Sequence, residues 1–353
     1  VSLKHNSRFA SYCLINKGNY LYELDIPLPF TFIFNDESRA RLCLMPAYWF
    51  MYNVYALARN AWKYKTRDRR IRKTQAIEYD YLAPDTANEM FQALRLLEKW
   101  VSLAWLEQEG RDPEALTEEQ VQELGKDLLL RQPEAVQSLT VKAYGVENSK
   151  REVVLVKVEQ AYKWYTEMLH HYGVSTLLEH FQEDAPLDLA ALPGKFRFRD
   201  RGNWINAGGQ LIHQADLEQL KADIKQGAIG SWNGVHERYA ELSRLYETDK
   251  LNHAWLTLLE INGIDERELA ESWPALLARS VETMQKLADG AYSSREKDYK
   301  NPFRQMLYEN MSEMEAVTGK LEDNDFVQLM QSAADAYREK AGKLLQQNSY
   351  TNL

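Results

Sequence analysis

Two different periods of apolar residues run along this chain. Over the opening stretch, VSLKHNSRFASYCLINKGNYLYELDIP, residues Leu3, Phe9, Ile15 and Leu21 return at every sixth position. Six is not a helical period. A hexad led by an apolar residue, with small Ser7 and Cys13 four places behind their leads, matches the flat sides of a left-handed parallel β-helix, which point each lead side chain inward. Two or three ordinary strands sharing that spacing are the plainer alternative. Pro27 and Pro29 end the rhythm, FTFIF at 30–34 reads as one buried strand, and Asn35-Asp36-Glu37-Ser38 as a polar turn.

From Pro46 the period becomes helical. Phe50, Val54, Leu57, Ala61 and Tyr64 fall at i, i+4, i+7, i+11 and i+14, one wide apolar face on a helix that starts just after a proline. QAIEYDYLAPDT then alternates like a strand, with Ile77, Tyr79 and Tyr81 on one side and Glu78 and Asp80 on the other. Thr86 and Glu89 have the spacing of a capping box. Helices are predicted over 86–108, 116–130 and 136–143, and from Ser149 to a stop at Gly173, with His170 and His171 as polar residues near that end. The Pro- and Gly-containing stretch at 183–202 reads as a domain boundary. Beyond it, Gly208-Gly209 marks a tight turn with positive φ. Helices near 216–226, 231–246, 249–261 and 265–287, and from Pro302 and Asp323, then read as a bundle.

The expected fold class is therefore mainly α: helical bundles behind a short N-terminal β segment that looks like the end of a left-handed parallel β-helix. Three regions are expected: 1–45 as terminal β-helix coils and strands, 46–185 as aromatic helix, strand and first helical domain, and 200–347 as a C-terminal helical bundle.

Composition narrows the partners. With 45% hydrophobic and 27% charged residues and a mean hydropathy of −0.53, the chain can bury a substantial core. A formal net charge of −9 repels polyphosphates, so nucleic acid is not an expected partner. No apolar run reaches the roughly 20 residues that span a bilayer, so neither is a membrane. Cys13 and Cys43 are too few for a disulfide framework or zinc cluster and read as small hydrophobes in a reducing cytoplasm. The first residue is Val, and the chain is expected to be the later part of a longer protein.

Candidate chemistry concentrates between 48 and 80. Burying Asn53, Arg59 and Asn60 beside Tyr48 and Trp49 costs several kcal/mol unless something hydrogen-bonds them, whether protein backbone or a polar ligand such as a sugar. Lys63 begins a dense cationic run, Lys63, Lys65, Arg67, Arg69, Arg70, Arg72 and Lys73, which is either a solvated face or a grip for phosphate. Glu78 and Asp80 either pair with those arginines or share a proton or Mg²⁺ in phosphate chemistry. No other cofactor and no protein metal site is expected, and no nucleophile-base arrangement stands out.

The runs HNSRFASYCLINKGNY, PAYWFMYNVYALARNAWKY, IEYDYLAPDT and NWINAGGQLI resemble an uncharacterised bacterial family. Its members look like hexapeptide-repeat proteins, a left-handed β-helix followed by a helical C-terminal region, and some carry labels borrowed from sugar-nucleotide uridylyltransferases and acyltransferases. The likeness is strong over 1–90 and loose after 200, and this chain lacks nearly all of the solenoid. It implies a homo-oligomer formed through the β-helix of the intact protein. Two functions follow as expectations. In one, the helical region caps the solenoid and serves assembly or partner binding, without activity of its own. In the other, it is the substrate-binding part of a transferase acting on a nucleotide-sugar or sugar phosphate, with Tyr48 and Trp49 stacking on the sugar and Lys63 neutralising phosphate.

Overall fold

The computed structural model of the chain describes residues 1–180, 189 and 191–351. In chain order the elements are β1 (Arg8–Phe9), β2 (Leu14–Ile15), β3 (Asp25–Ile26), β4 (Phe32–Asp36), β5 (Arg41–Met45), α1 (Tyr48–Tyr52), α2 (Val54–Arg67) and α3 (Pro84–Gln108). There follow α4 (Glu118–Arg131), α5 (Pro133–Ser138), β6 (Val153–Leu155), α6 (Val158–His180), β7 (Trp204–Ala207), β8 (Gln210–His213) and α7 (Gln214–Gln226). The last are α8 (Trp232–Asn262), α9 (Glu266–Lys300), α10 (Pro302–Gln305), α11 (Met311–Thr318) and α12 (Asp325–Thr351). The fold is mainly helical with small sheets. Packing divides it into two compact units, Val1–Tyr52 with Asn88–Glu167, and Asn53–Ala87 with Met168–Leu353. Of the composition break at 183–202, residues 183–188 and 190 lie outside the described residues.

The first unit corrects the hexad reading. β1 pairs with β3 and β2 with β4, both in parallel, but each pairing is two residues long, and β4 turns directly into an antiparallel pairing with β5. β6 closes that second sheet in parallel with β5. No solenoid is present among the described residues. The lead residues show why: Leu3 is 39% and Leu21 59% exposed, whereas Tyr20, Leu24, Ile26, Leu28, Phe30 and Ile33 are fully buried. Phe9 and Ile15 are half-buried in their short parallel pairings, so the every-sixth positions do not line one common interior.

That unit's core is aromatic. Phe30 stacks on Tyr12 at 5.0 Å and meets Phe50 at 4.7 Å, and Phe50 in turn stacks on Trp164 at 6.1 Å. Tyr165, fully buried, donates to the Pro29 carbonyl at 2.5 Å and accepts from the Ala47 amide at 3.2 Å. Its hydroxyl thereby satisfies backbone groups next to two residues in the left-handed region, Phe30 (φ 56°) and Ala47 (φ 54°). Burial pushes the Tyr165 phenol well above its ordinary range.

The second unit is a helical assembly built on α8, α9 and α12. Val174, Leu177, Leu251, Trp255, Leu258, Leu269, Trp273, Leu277 and Leu344 form its apolar centre. Gly173 does not stop its helix. It lies inside α6, where a Cβ would come within 3.0 Å of Leu258 Cβ and 3.2 Å of the Ala254 carbonyl, so glycine lets α6 approach α8 closely. His170 and His171 are correspondingly buried rather than terminal. His170 Nε2 donates to the Leu276 carbonyl at 2.9 Å, and His171 Nδ1 meets Ser280 Oγ at 2.8 Å, which in turn meets the Tyr337 hydroxyl at 2.7 Å. The expected turn at Gly208-Gly209 joins β7 to β8, with φ of 70° and 103°.

Further differences have local causes. Val153–Leu155 is a buried strand rather than helix, because three consecutive apolar, mostly β-branched residues fit a sheet covered on both faces. Thr86 is not an N-cap: it sits in the first turn of α3 and its hydroxyl accepts from the Ala83 amide at 3.0 Å. Residues 231–246 and 249–261 are one continuous helix, α8. Residues 75–81, expected as a strand, are irregular, although the Glu78 amide donates to the Gly209 carbonyl at 2.9 Å.

Candidate functional site

The residues singled out between 48 and 63 fall in two different compact units. In the first unit, Tyr48 packs on Phe32 at 4.9 Å and on Tyr52 at 5.7 Å, and the Trp49 indole donates to the Tyr12 carbonyl at 2.7 Å. Both therefore serve packing. In the second unit, Asn53 occupies the break between α1 and α2, with φ −146° and ψ 37° and no side-chain capping bond. Arg59 leans on the Tyr55 ring, its guanidinium carbon 5.8 Å from the centroid. Asn60 is exposed and Lys63 half-buried, and neither makes a side-chain hydrogen bond or ion pair with any described residue. The aromatics on the same helix look elsewhere: Tyr55 and Trp62 both pack on Phe326, at 5.3 and 5.6 Å.

Glu78 and Asp80 are brought to one partner, though not to the arginine run before them. Lys250 Nζ lies 2.8 Å from Glu78 Oε2 and 3.9 Å from Asp80 Oδ2. The Tyr246 hydroxyl donates to the same Glu78 oxygen at 2.5 Å, and the Asp80 amide donates to Glu78 Oε1 at 2.9 Å. The pair is largely desolvated, with the Glu78 side chain 9% and the Lys250 side chain 14% exposed. Burial alone would raise the Glu78 carboxyl, but the Lys250 ammonium and the Tyr246 hydroxyl outweigh it and hold the carboxyl below its usual range. Burial and the Glu78 carboxylate drive the Tyr246 phenol far upward. Asp80 is raised, by desolvation first and then by repulsion from Glu78 against the pull of Lys250. This arrangement neutralises carboxylates within the protein and does not direct them at a metal ion. Among the described residues no group of His, Cys, Asp and Glu is placed to hold one.

Sequence reading missed the element that organises this region. Tyr246, Asp249, Lys250, His253 and Thr257 stand at i, i+3, i+4, i+7 and i+11 on α8, one helical face, and Asp249, His253 and Thr257 are buried. Arg197 binds Asp249 through Nη1 at 2.7 Å and Asp216 through Nη2 at 2.9 and 3.0 Å. The Phe198 amide donates to Asn252 Oδ1 at 2.9 Å, and the Phe198 ring stacks on His213 at 3.9 Å. His253 Nδ1 meets the Tyr172 hydroxyl at 3.1 Å, and the Trp204 ring stands edge-on to both His213 and His253. Burial pushes Asp249 up to about 6 and depresses His213 and His253. Asp249 Oδ1, Asn252 Nδ2 and His213 Nε2 are buried without a hydrogen-bond partner. A polar stripe at helical spacing ordinarily marks a solvated face, so the sequence alone carried no sign of its burial.

Two of the open surfaces among the described residues of this unit bear on function. A cleft of about 690 Å³ is lined by Thr74, Gln75, Gln210, His236, Glu237 and Tyr239, with Ala207 and Ala240. Gln210 donates to the Tyr239 carbonyl at 2.9 Å, and Gln75 donates to the Gly208 carbonyl, fixing the cleft wall. The turn around α10 carries the second: Phe303 is 80% exposed, Met306 77% and Leu307 77%, at i, i+3 and i+4.

Residues 196–347 match the model of a domain of unknown function (DUF6819). An uncharacterised protein of Treponema pallidum (strain Nichols) is 36% identical over 332 residues, 92% of this chain and 43% of that protein, so the chain spans less than half the length of this relative. No solved structure matches the chain. The resemblance to a hexapeptide-repeat, transferase-like family is thus corrected on two counts: the match is to a different domain, and the first unit holds no β-helix.

Proposed function

We propose that the helical unit is an assembly module that joins copies of this chain through the apolar face at Phe303, Met306 and Leu307. The exposure of those three side chains carries the reading. Large apolar residues scattered singly on a surface need no explanation, but three on one turn are of the kind that marks an interface. Asn301 caps the turn by accepting from the Phe303 amide at 2.9 Å, and Gln305 donates to the Tyr299 carbonyl at 2.8 Å, so the face is held in place. Three side chains are too small for a stable interface of roughly 1,200–2,000 Å² and act as its anchor. Light scattering across a concentration series should show a dimer or higher oligomer that becomes monomeric in a Phe303→Ser, Leu307→Ser double variant. A monomer at every concentration, or an oligomer indifferent to the double variant, rejects the reading.

A second reading is favoured by the cleft. Its hydroxyl, imidazole, carboxylate and phenol groups are spaced along apolar walls, which suits a small polyhydroxylated ligand such as a sugar or sugar phosphate. A thermal-shift panel of such compounds, repeated on a Glu237→Gln, His236→Ala variant, tests it: stabilisation that the variant loses supports the reading, and no response across the panel rejects it.

A further inference from the structure

We infer that the loop following α2 is a docking element for anionic lipid headgroups, with Ile71 as its apolar contact. Between Lys63 and Lys73 the chain carries seven Lys or Arg residues and one Asp, in a protein whose formal net charge is −9. The rest of the chain is therefore net acidic, and the run is a concentrated positive feature within it. At physiological ionic strength charges further away than about 8 Å are largely screened, so a surface touching this loop senses its cations rather than the distant acids.

The loop is shaped, not a free tail. Tyr64 at the end of α2 stacks on Tyr79 at 4.8 Å, closing the base. Arg70 is committed inward: it binds Asp68 through Nε at 2.9 Å and Nη2 at 3.0 Å, and donates to the Tyr64 hydroxyl at 2.6 Å. Lys73 joins the same carboxylate at 3.4 Å. Arg67, Arg69 and Arg72 remain exposed and make no ion pair with any described residue. Between them stands Ile71, 100% exposed. The internal pairs thus occupy Asp68 with Arg70 and Lys73 and leave the guanidiniums of Arg67, Arg69 and Arg72 exposed on either side of Ile71 in the chain.

Those features choose among polyanions. Single-stranded nucleic acid is gripped by aromatic faces on which bases stack, but Tyr64 and Tyr79 are stacked on each other and Tyr64 is further covered by Arg70, 5.8 Å from its ring. A fully exposed isoleucine flanked in sequence by exposed arginines contributes nothing to a phosphate backbone. At a lipid surface the cations meet headgroups while the aliphatic chain enters the interface, so both signals act together. No helix among the described residues is long and apolar enough to cross a membrane, and surface docking requires none.

The test is co-sedimentation of the whole chain with vesicles of pure phosphatidylcholine and of equal parts phosphatidylcholine and phosphatidylserine, alongside fluorescence anisotropy with a single-stranded RNA oligonucleotide. Binding to the phosphatidylserine vesicles alone, weakened by salt, is expected. An Arg67→Gln, Arg69→Gln, Arg72→Gln variant should lose about a hundredfold in affinity, and Ile71→Ser about tenfold. Circular dichroism melts confirm that both variants stay folded, which their exposure favours. No vesicle binding at low salt overturns the inference. So does binding that ignores Ile71→Ser, which would leave only a generic polyanion contact, and so does tighter binding to RNA than to vesicles.

Discussion

Helix α1 and the middle of helix α8 both gather side chains that draw the eye, and they resolve in opposite ways. In α1, Phe50 is 2% exposed between Phe30 and Trp164, Tyr48 lies on Phe32, and the Trp49 indole finds the nearby Tyr12 carbonyl. Any adjoining apolar surface would have satisfied most of these needs. In α8 the buried polar residues are Asp249, Asn252, His253 and Thr257, and the first three each meet a particular partner from a distant part of the chain. Asp249 has Arg197, Asn252 has the Phe198 amide, and Lys250 has Glu78, 172 residues away in sequence. Aromatic packing tolerates substitution of its partners, whereas a buried polar group is costly the moment its partner is gone.

The sharpest way to break this comparison is Lys250→Ala. It strands the Glu78 carboxylate, 9% exposed, with only the Tyr246 hydroxyl and the Asp80 amide. Removing one member of a buried ion pair costs about 3–5 kcal/mol, so denaturant titration should show a large drop in midpoint. The double variant Lys250→Met, Glu78→Leu should recover much of the loss, because it removes both charges. A small loss in the single variant would mean that the pair is effectively hydrated.

A smaller effect separates the charged residues of α8 by pH. Burial places the Asp249 carboxyl at about 6 against an ordinary 3.8. Between those values the folded chain holds a proton that the unfolded chain has released, so stability falls as pH rises through the window and the deficit is complete above it. The size is on the order of 2–3 kcal/mol. His253, depressed by burial, works in the opposite sense: below about pH 6.5 the unfolded chain takes up a proton that the folded one refuses, and stability falls with falling pH. The informative quantity is therefore the difference between wild type and Asp249→Asn, measured by urea unfolding from pH 4 to pH 7. That difference should grow in favour of the variant as pH rises. A pH-independent difference would place the Asp249 carboxyl near its ordinary value.

The helical character of most of the chain was legible because long apolar stripes at i, i+3 and i+4 have one ready interpretation. The predicted 86–108 helix and the Gly208-Gly209 turn lie close to where the structure has them, since an apolar stripe and a paired glycine are local signals. What failed were inferences about partners. Leu3, Phe9, Ile15 and Leu21 satisfied a six-residue rhythm, yet only Phe9 and Ile15 lie in parallel pairings, each two residues long, and repetition alone cannot report whether further coils exist. Glu78 was noticed for its spacing from Asp80, but its partner, Lys250, could not be found from either residue. The α8 stripe was invisible for the converse reason: Tyr246, Asp249, Lys250 and His253 have the pattern of a wet surface, and only Glu78, Arg197 and Tyr172 folding over them make it an interior.

Tyr165→Phe provides the smallest and most discriminating change, because it tests the aromatic side of the comparison at a fully buried polar point. The ring is fully buried in the first unit, and its hydroxyl serves both the Pro29 carbonyl and the Ala47 amide. Phenylalanine keeps the apolar volume, so packing should persist and only the two backbone groups lose this partner. The cost should be about 1–2 kcal/mol, since a single neutral hydroxyl is removed, the Ala47 amide loses its side-chain acceptor and the Pro29 carbonyl keeps only the Thr31 hydroxyl, at 3.3 Å. Thermal unfolding of the variant should show a lower midpoint with unchanged near-ultraviolet circular dichroism. If that spectrum collapses as well, the hydroxyl fixes the left-handed backbone at Phe30 and Ala47, and the aromatic core depends on a specific polar contact as much as α8 does.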